Sequence, residues 1–510
     1  MSQSSPLVDI MALARTGAVE EAWRLFGESG LAAAQDPAAL TLKGRLLKDR
    51  ARTARGQARR DLFVEAAAAY RQAAQRGQGA YALINAATLS LLAGEIEAAR
   101  ANALAALDAP DNDTPYYQGA TRAEALLVLG RTDEAKAALT EAVSRAPRAW
   151  EDHAVTLRQF RLILTEQGQG DDWLSVLTPP RALHFTGHMA LSADEGLAGR
   201  IADVLGQEKV AFGYGAIAAG ADILIAEALV EAGAALHVVL PTNAEVFRER
   251  SVRPWGEAWV ARYDRLLVLA DSVQATTPDL ARVSRDAIAL ADETAMGMTV
   301  LKAASLAGEA LQLAMLDPER PDASGSAAAR WRGAGRRQQL IEVRRLPPAQ
   351  GADEPTPPER APTALLGCAL DLPLDADPTE ALATLSRVLA AAPAGVAAPA
   401  WTGRQLLLAY ATPGQAAQAA AALRAALGPR ARLAGAHGLA RLAASPVGHG
   451  TIAIGRGAEI VTAYLAVTPP GAVYLDLPFA AALCVDAPPD LVGKIMNLTG
   501  DALGPYALRP

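Results

Sequence analysis

Residues 209–241 have the sequence KVAFGYGAIAAGADILIAEALVEAGAALHVVLP, and this stretch decides how the middle of the chain folds. One apolar run ends in Gly213-Tyr214-Gly215, a helical segment begins at Ala221, and a second apolar run ends at Pro241. Nearly continuous apolar strands that are joined by helices are typical of a parallel sheet buried on both faces. The stretch therefore predicts a strand–helix–strand unit of an α/β domain.

Similar apolar runs on both sides extend this predicted sheet. In chain order the expected strands are 182–187, 209–215, 234–241, 265–271, 309–317 and 339–346. Helical segments separate them, so residues 180–346 are predicted to form a Rossmann-like domain with a parallel sheet.

Small and polar residues follow these strands, at the edge where open parallel sheets bind ligands. The candidates are Thr186, Gly187, His188, Gly213, Tyr214, Gly215, Gly220, Ala221 and Asp222, and a later glycine-rich helix start adds Ser324, Gly325 and Ser326. Backbone N–H groups at such turns and helix starts bind phosphate without any lysine. We therefore predict a nucleotide-derived ligand here. The alternative is that the glycines only permit tight turns.

The same stretch resembles the SLOG superfamily of Rossmann-like nucleotide-sensing domains. These have a glycine-rich turn, a Gly-Ala-Asp that begins a helix, and a strand that ends near proline. Gly220-Ala221-Asp222, Gly233 and Pro241 carry the resemblance, whereas Thr186-Gly187-His188 stands where several members have Gly-Ser-Arg. The resemblance implies a sensor of nucleotides.

Residues 1–178 are predicted to be helical throughout, because Ala, Leu, Glu and Arg dominate and strand signals are absent. A pattern recurs at residues 17–22, 94–99 and 130–135: a glycine, an acidic residue three positions later, and an alanine five positions later. The glycine suits the end of one helix, the acidic residue suits the first turn of the next, and the alanine lets the two cross closely. The pattern resembles the tetratricopeptide (TPR) repeat, with one or two degenerate repeats between the first two copies. We expect a solenoid that binds a protein partner.

The last part of the chain, residues 363–510, follows a proline-rich linker at 347–362. Strands are expected at 363–372, 404–411, 431–438 and 451–455, helices at 378–392 and 413–427, and a helix, turn, strand and helix within 459–483. Two helices on an antiparallel sheet in β-α-β order predict an α+β, ferredoxin-like domain.

The segment AVTPPGAVYLDLPFAAAL at 466–483 resembles the end of a class III adenylyl/guanylyl cyclase catalytic domain, and the resemblance extends more weakly over residues 363–510. Such cyclases bind two metal ions with two aspartates. The first corresponds to Asp371, or to Ala369 in another register, and the second position has Arg404 or Gln405. A guanidinium beside two divalent cations is electrostatically unfavourable and removes an oxygen ligand.

The resemblance also assigns two residues that stabilise the transition state, an asparagine and an arginine. Those positions have Glu459 and Ala463 here. We therefore predict a catalytically inactive cyclase-like domain, serving as a regulatory module or as the contact in a homodimer or a heterodimer with a cyclase-like protein.

Composition excludes several other classes of protein. The net charge is −7 and the pI about 5.6, so no overall basic field favours nucleic acid. Two cysteines, Cys368 and Cys484, are too few for a disulfide framework or a four-thiolate zinc site, and no metal site or certain cofactor is expected. Neither a signal peptide nor a membrane-spanning run is expected, so we predict a cytoplasmic location.

The predicted function is a non-enzymatic signalling protein with a partner-binding solenoid, a nucleotide sensor and an inactive cyclase-like module. One alternative is an enzyme acting on a nucleotide in the middle domain, such as an N-glycosidase or hydrolase, with Glu227 and Asp222 as its carboxylates. Another is a structural scaffold without a ligand. His184 and His237 lie within predicted strands and are expected to pack in the core, whereas His188 is the histidine most suited to function.

Overall fold

A computed structural model describes residues 6–192, 194–320, 323–346, 360–373, 375–446, 450–500 and 504–510. The chain divides into two compact units, Met1–Pro179 and Pro180–Pro510, and each is described by itself. The predicted linker falls almost wholly on residues 347–359, which lie outside the described residues.

The first unit is helical, as predicted. Its helices are α1 (Pro6–Arg15), α2 (Val19–Glu28), α3 (Pro37–Ala51), α4 (Gly56–Ala73), α5 (Gly79–Ala93), α6 (Ile96–Asp108), α7 (Pro115–Val128), α8 (Thr132–Arg145) and α9 (Trp150–Glu166). Consecutive helices pack as the hairpins α1/α2, α3/α4, α5/α6 and α7/α8, and α9 packs on α5 and α7. This arrangement is consistent with a TPR-like region.

The recurring glycines end helices in the way that their spacing predicts. Gly17, Gly94 and Gly130 have φ of 81°, 84° and 77°, a conformation that only glycine adopts without strain. The N–H that follows each glycine donates to a carbonyl five residues back, as from Arg131 to Leu126 at 2.9 Å. The alanines of the pattern, Ala22, Ala99 and Ala135, are fully buried.

One hairpin, α3/α4, lies between the first two copies of the pattern. Its turn contains Arg52 and Arg55 and lacks the helix-ending glycine, which explains why the sequence pattern skips it. The sequence analysis also overlooked a further copy of the turn, in which Gly168 (φ 66°) ends α9.

The second unit begins with a parallel sheet, the first sheet. Its strands are β1 (Arg181–Gly187), β2 (Val210–Gly215), β3 (Ala235–Leu240), β4 (Ser272–Ala275), β5 (Ala310–Leu316) and β6 (Arg337–Glu342). The helices between them are α10 (Leu197–Gln207), α11 (Ala221–Glu231), α12 (Ala244–Ser251), α13 (Glu257–Leu269), α14 (Arg285–Ser305) and α15 (Ala323–Gly333). The strand order is β4-β3-β2-β1-β5-β6, so the direction of winding reverses between β1 and β5.

One predicted strand is wrong. Residues 265–271 mostly belong to α13, and the strand follows at Ser272–Ala275. Val260, Tyr263 and Leu266 are buried at helical spacing, so the run RLLVL continues an apolar helix face. A short apolar run does not by itself distinguish a strand from the end of a buried helix.

The second sheet is mixed. Its strands are β7 (Ala361–Leu370), β8 (Ala400–Thr402), β9 (Gln405–Tyr410), β10 (Ala431–Ala444), β11 (Thr451–Ile454), β12 (Val473–Leu475), β13 (Ile495–Asn497) and β14 (Tyr506–Leu508). Its helices are α16 (Thr379–Ala391), α17 (Pro413–Leu427), α18 (Gly457–Val467), α19 (Leu477–Val485) and α20 (Pro489–Val492). The expected antiparallel pairing holds for β7 with β9 and β10, but β12 pairs parallel to β10 because α18 forms a crossover between them.

Helix α14 packs against both sheets of the second unit. It covers strands of the first sheet on one side and contacts α19 and β10 on the other. At the closest approach, a Cβ on Gly297 would lie 2.1 Å from the carbonyl oxygen of Ala481. A glycine is therefore required where α14 and α19 meet.

Helices long and apolar enough to cross a membrane are absent from the described residues.

Candidate functional site

Three of the predicted ligand-binding segments meet at the carboxyl edge of the first sheet. The backbone N–H of Ala221 donates to the carbonyl of His188 at 3.1 Å, and the Ser324 hydroxyl donates to the carbonyl of Gly187 at 3.0 Å. Gly325 and Ser326 follow in the first turn of α15. The start of α11, the end of β1 and the start of α15 are thus held together by hydrogen bonds within the chain.

The glycines at this edge face protein atoms. A Cβ on Gly187 would lie 2.4 Å from the Cβ of Ala221, and one on Gly213 would lie 2.2 Å from Cδ1 of Leu229. A Cβ on Gly215 would lie 2.6 Å from the carbonyl oxygen of Phe185. A Cβ on Gly220, whose φ is 116°, would lie 2.7–3.0 Å from backbone atoms of residues 188–190. These glycines let strands and helices approach one another, because the position that a Cβ would take at each of them is already occupied by protein atoms.

Two aspartate side chains at this edge accept backbone N–H groups of the chain itself. One Asp222 oxygen accepts the N–H of Ala218 at 3.3 Å, next to the start of α11. Asp317, which follows β5, accepts the N–H groups of Arg345 and Glu319 at 2.9 and 3.0 Å. The hydrogen bond from Arg345, with that from Glu319, holds the pKa of Asp317 below its usual value. The Asp317 carboxylate places a negative charge at this edge, which disfavours phosphate, so nucleotide binding stays a prediction that this geometry does not support.

A row of polar side chains crosses the first sheet in register, and the sequence analysis missed it. One residue from each strand of the sheet contributes, in the order Ser272, His237, Tyr214, His184, Gln312 and Gln338. His237 Nδ1 lies 2.9 Å from Ser272 Oγ, and the rings of His237 and Tyr214 stack at 4.6 Å. His184 Nδ1 lies 2.9 Å from Gln312 Nε2, and Gln338 Nε2 donates to Gln312 Oε1 at 2.6 Å. Only the strand register, which a single sequence does not reveal, brings these residues together.

Two of the histidines singled out by the sequence, one in β1 and one directly after it, are buried. His184 and His188 are fully buried, and burial lowers the pKa of His184 to about 3. His184 therefore stays neutral at physiological pH, in agreement with its expected place in the core. Thr186 is also buried.

The carboxylates of the enzymatic alternative are engaged in structural contacts. Both oxygens of Glu227 accept from Arg262, at 2.8 and 2.5 Å, and Arg262 also stacks on Trp259 at 4.3 Å. Asp222 accepts the Ala218 N–H, as described above. Each carboxylate thus has a hydrogen-bonding role within the fold.

In the second sheet, Asp371 lies at the end of β7 and is paired with an arginine. Its Oδ1 lies 3.3 Å from Nη2 of Arg432, and Nη1 of Arg404 donates to the neighbouring carbonyl of Leu372 at 2.9 Å. Ala369 is buried in the core. Two guanidinium groups therefore lie at this strand end, to which the sequence resemblance assigns an oxygen-ligated metal site.

The two other cyclase-like positions lie on α18. Glu459 and Ala463 are four residues apart on its exposed face. In the part of the chain that the structure describes, no three His, Cys, Asp or Glu side chains cluster in a way that could hold a metal ion.

Side-chain contacts connect every second helix of the first unit, from α3 to α9, at repeat spacing. Lys48 Nζ lies 3.4 Å from Asn85 Oδ1, between α3 and α5. Glu124 Oε1 on α7 accepts from Thr88 Oγ1 on α5 at 2.6 Å and from Gln159 Nε2 on α9 at 3.0 Å. The partners are 37, 36 and 35 residues apart. In the sequence, the separation of Gly94 and Gly130 already indicates this repeat length.

Comparison with known proteins identifies a similarity in the first unit. Residues 9–90 match the model of the family TPR-S, Tetratricopeptide Repeats-Sensor. No curated protein matches the chain. The solved adenylyl cyclase CyaB from P. aeruginosa has 10% identity and a TM-score of 0.23, over 30% of this chain and 95% of that one. For the guanylyl cyclase Cya2 the identity is 12% and the TM-score 0.21, over 29% of this chain and 90% of that one.

TM-scores of this size do not establish a shared fold. The comparisons therefore give one firm result, which is that the chain contains a region similar to a TPR-type sensor domain, extending from α1 into α5.

Proposed function

We propose that this chain is a signalling protein whose helical residues 1–178 bind a protein partner. The observation that carries the proposal is the series of stacked hairpins, three of which have matching glycine-ended turns, together with the match of residues 9–90 to a TPR-type sensor family. Stacked hairpins of this kind present an extended surface to another protein, and their stability does not depend on a bound ligand.

Exposed apolar side chains on α9 support partner binding. Val155 and Leu162 are seven residues apart, so they lie on one face of the helix, and they are 51% and 38% exposed. Tyr81 on α5, the helix against which α9 packs, is 47% exposed. Large apolar side chains on neighbouring helices are typical of surfaces that a partner covers.

Affinity capture from lysate of the native host, followed by mass spectrometry, tests this proposal. The full chain is expected to retain a specific protein that a chain lacking residues 1–178 does not retain. The variant Val155→Asp with Leu162→Asp should lose it, whereas Val176→Asp, at a valine that is 80% exposed, should not. Equal capture by the chain that lacks residues 1–178 would contradict the proposal.

The cyclase-like residues 363–510 are proposed to be non-catalytic and to serve as a regulatory or dimerisation module in a cytoplasmic protein. The Asp371–Arg432 pair and the nearby Arg404 support this, because they place positive charge where a metal site needs negative charge. Homodimers and heterodimers with a cyclase-like protein are both compatible with such a module. Sedimentation of the purified chain, alone and with a cyclase domain, distinguishes them.

The nucleotide sensor, the nucleotide-cleaving enzyme and the ligand-free scaffold remain the finer alternatives for the first sheet. The close contacts in the Cβ direction at Gly187, Gly213 and Gly215 support the interpretation that these glycines serve packing within the fold. The ion pair of Glu227 with Arg262 weighs against the enzyme. Mass spectrometry of small molecules released from the denatured protein decides between a sensor and a scaffold, and a turnover assay tests for the enzyme.

A further inference from the structure

The α3/α4 hairpin carries a concentrated positive charge in a chain whose net charge is −7. Residues 43–61 include two aspartates and eight basic residues, namely Lys43, Arg45, Lys48, Arg50, Arg52, Arg55, Arg59 and Arg60. Arg52, Arg55, Arg59 and Arg60 are exposed and lie at or next to the turn between the two helices. We call these four residues the basic turn.

The basic turn departs from the charge pattern of the other hairpins. Acidic residues lie in the first turn of each other second helix: Glu20 and Glu21 in α2, Glu97 in α6, and Asp133 and Glu134 in α8. Helix α4 has none in its first turn, and Arg59 and Arg60 are its fourth and fifth residues. Because the N-terminus of a helix is its positive end, these arginines destabilise α4.

Arg55 occupies the N-cap position of α4, where an acceptor side chain is strongly preferred. Its backbone has the extended geometry of a good N-cap, with φ −132° and ψ 160°, but its side chain makes no capping hydrogen bond. An aspartate at this position would accept an N–H of the first turn and offset the helix dipole. Arginine here therefore costs stability, and the fold alone does not explain why it is present.

The guanidinium groups of the basic turn are only partly used within the chain. Arg52 donates to Asp49 at 2.9 Å, and Arg59 lies over the ring of Phe63 at 5.3 Å. Salt bridges from Arg55 or Arg60 do not occur among the described residues. Guanidinium groups with free donors recognise carboxylates in bidentate geometry.

The surroundings of the basic turn favour an acidic polypeptide over the other polyanions. The aromatic rings of α4 itself, Phe63 and Tyr70, are 3% and 1% exposed, and the half-buried ring of Trp23 on α2 is covered by Arg50 at 5.0 Å, so a row of exposed rings for stacking on nucleic-acid bases does not flank the basic turn in the described residues. Large apolar side chains that could insert into a membrane are not exposed on α3 or α4, both of which are fully described. The positive charge is also confined to one hairpin, whereas duplex binding uses a longer row of phosphate contacts.

We infer that the basic turn is a docking surface for an acidic segment of a protein partner. This inference rests on the proposed function in one respect, which is that the partner is a protein. It adds the chemistry of the partner, a segment rich in Asp or Glu, and the residues that contact it.

Fluorescence anisotropy with the full chain tests the inference, with a labelled polyglutamate peptide as the probe. The variant Arg55→Asp with Arg60→Glu is expected to weaken peptide binding by about tenfold or more, because two charge-assisted contacts become repulsive. Its thermal midpoint is expected to rise by about 2 °C or more, since the N-cap and the helix dipole are both improved. The control Arg100→Glu with Arg148→Glu makes the same change in net charge at exposed arginines elsewhere in the unit and should leave peptide binding within about twofold of wild type.

Three results would overturn the inference. The first is that the peptide does not bind, or binds both double variants equally. The second is that a single-stranded oligonucleotide competes more strongly than the peptide, which would make the surface a nucleic-acid site. The third is that Arg55→Asp with Arg60→Glu lowers the thermal midpoint, which would give the arginines a structural role. Capture of the protein partner is measured separately. If the full chain still captures its partner but does not bind the peptide, the inference about the basic turn fails and the proposed function is unaffected.

Discussion

At the residue scale, the proposal that residues 363–510 are non-catalytic rests on the surroundings of Asp371. A carboxylate that ligates a metal needs further oxygen ligands close by, but its neighbours here are Arg432 and Arg404. The sequence alone predicted that Arg404 disfavours a metal site, and that stays a prediction. It did not identify Arg432, because that residue reaches Asp371 from β10, the strand paired antiparallel with β7.

We expect no cyclic AMP or cyclic GMP from the purified protein with manganese and ATP or GTP. The variant Arg404→Asp should not restore activity, because Glu459 and Ala463 still lack the donors that stabilise a phosphoryl transition state. Product is measured by chromatography against a control without enzyme. Turnover that Asp371→Ala abolishes would show that the domain is catalytic.

Gly215→Val is expected to destabilise the second unit without any ligand being involved. The added Cβ would lie 2.6 Å from the Phe185 carbonyl oxygen, so the strands must move apart, at a cost of about 1–3 kcal/mol in the free energy of unfolding. Chemical denaturation measures this. The matched control is Gly206→Ala, where the Cβ would meet no atom within 4 Å. If both variants have wild-type stability and only nucleotide binding changes, the glycine belongs to a ligand site.

Asp476 is expected to make the stability of the second unit depend on pH. Burial raises its pKa to about 7, although the N–H groups of Phe479 and His437 donate to it. The folded state therefore holds this proton more tightly than the unfolded chain, whose aspartates titrate near pH 4. The resulting stabilisation is fully present below about pH 4 and is lost as pH rises towards 7.

The variant Asp476→Asn separates this contribution from the others, because asparagine still caps α19 but does not ionise. The free energy of unfolding of the variant minus that of wild type should increase from pH 4 to pH 8 by an amount on the order of 2–4 kcal/mol. Urea titrations at both pH values measure the difference. A difference that does not change with pH would show that Asp476 ionises normally in the folded protein.

At the scale of elements, local signals and long-range contacts were predictable to different degrees. The glycine-ended turns at Gly94 and Gly130 were evident because the sequence of a turn determines its local geometry. The strand at 272–275 was missed because the end of α13 has the same apolar composition as a strand. The polar row through His184 and Gln312 depends on the register between strands distant in sequence, which composition and spacing do not reveal.

The contact between α14 and α19 was not foreseen either, and it gives a further prediction. Gly297→Ala would place a Cβ 2.1 Å from the carbonyl oxygen of Ala481, so we expect a loss of about 2 kcal/mol or more in the free energy of unfolding. Gly199→Ala in α10, where the Cβ would meet no atom within 4 Å, is the matched control and should not destabilise. Wild-type stability in Gly297→Ala would mean that the two helices are farther apart than described.

At the scale of the whole molecule, the two compact units are expected to unfold separately. A chain of residues 1–178 should be helical by circular dichroism and melt cooperatively, because its hairpins bury cores of their own, among them the cluster of Leu126, Leu139 and Phe160. Calorimetry of the full chain should show the same transition beside a second one. A shortened chain without cooperative melting would show that the first unit needs the rest of the protein.

Because α14 packs against both sheets, the second unit is well suited to division into two polypeptides that reassemble. The two sheets are held together by packing between α14 and α19, by the Arg330–Asp486 ion pair, by the contact of His437 Nε2 with Glu293 Oε2 at 3.1 Å, and by Arg336 donating to the carbonyl of Cys484 at 2.7 Å. None of these contacts requires a covalent connection between the sheets. Residues 180–346 and 363–510, produced as separate polypeptides, should therefore recognise each other and reassemble, which would allow this unit to serve as a fragment-complementation reporter.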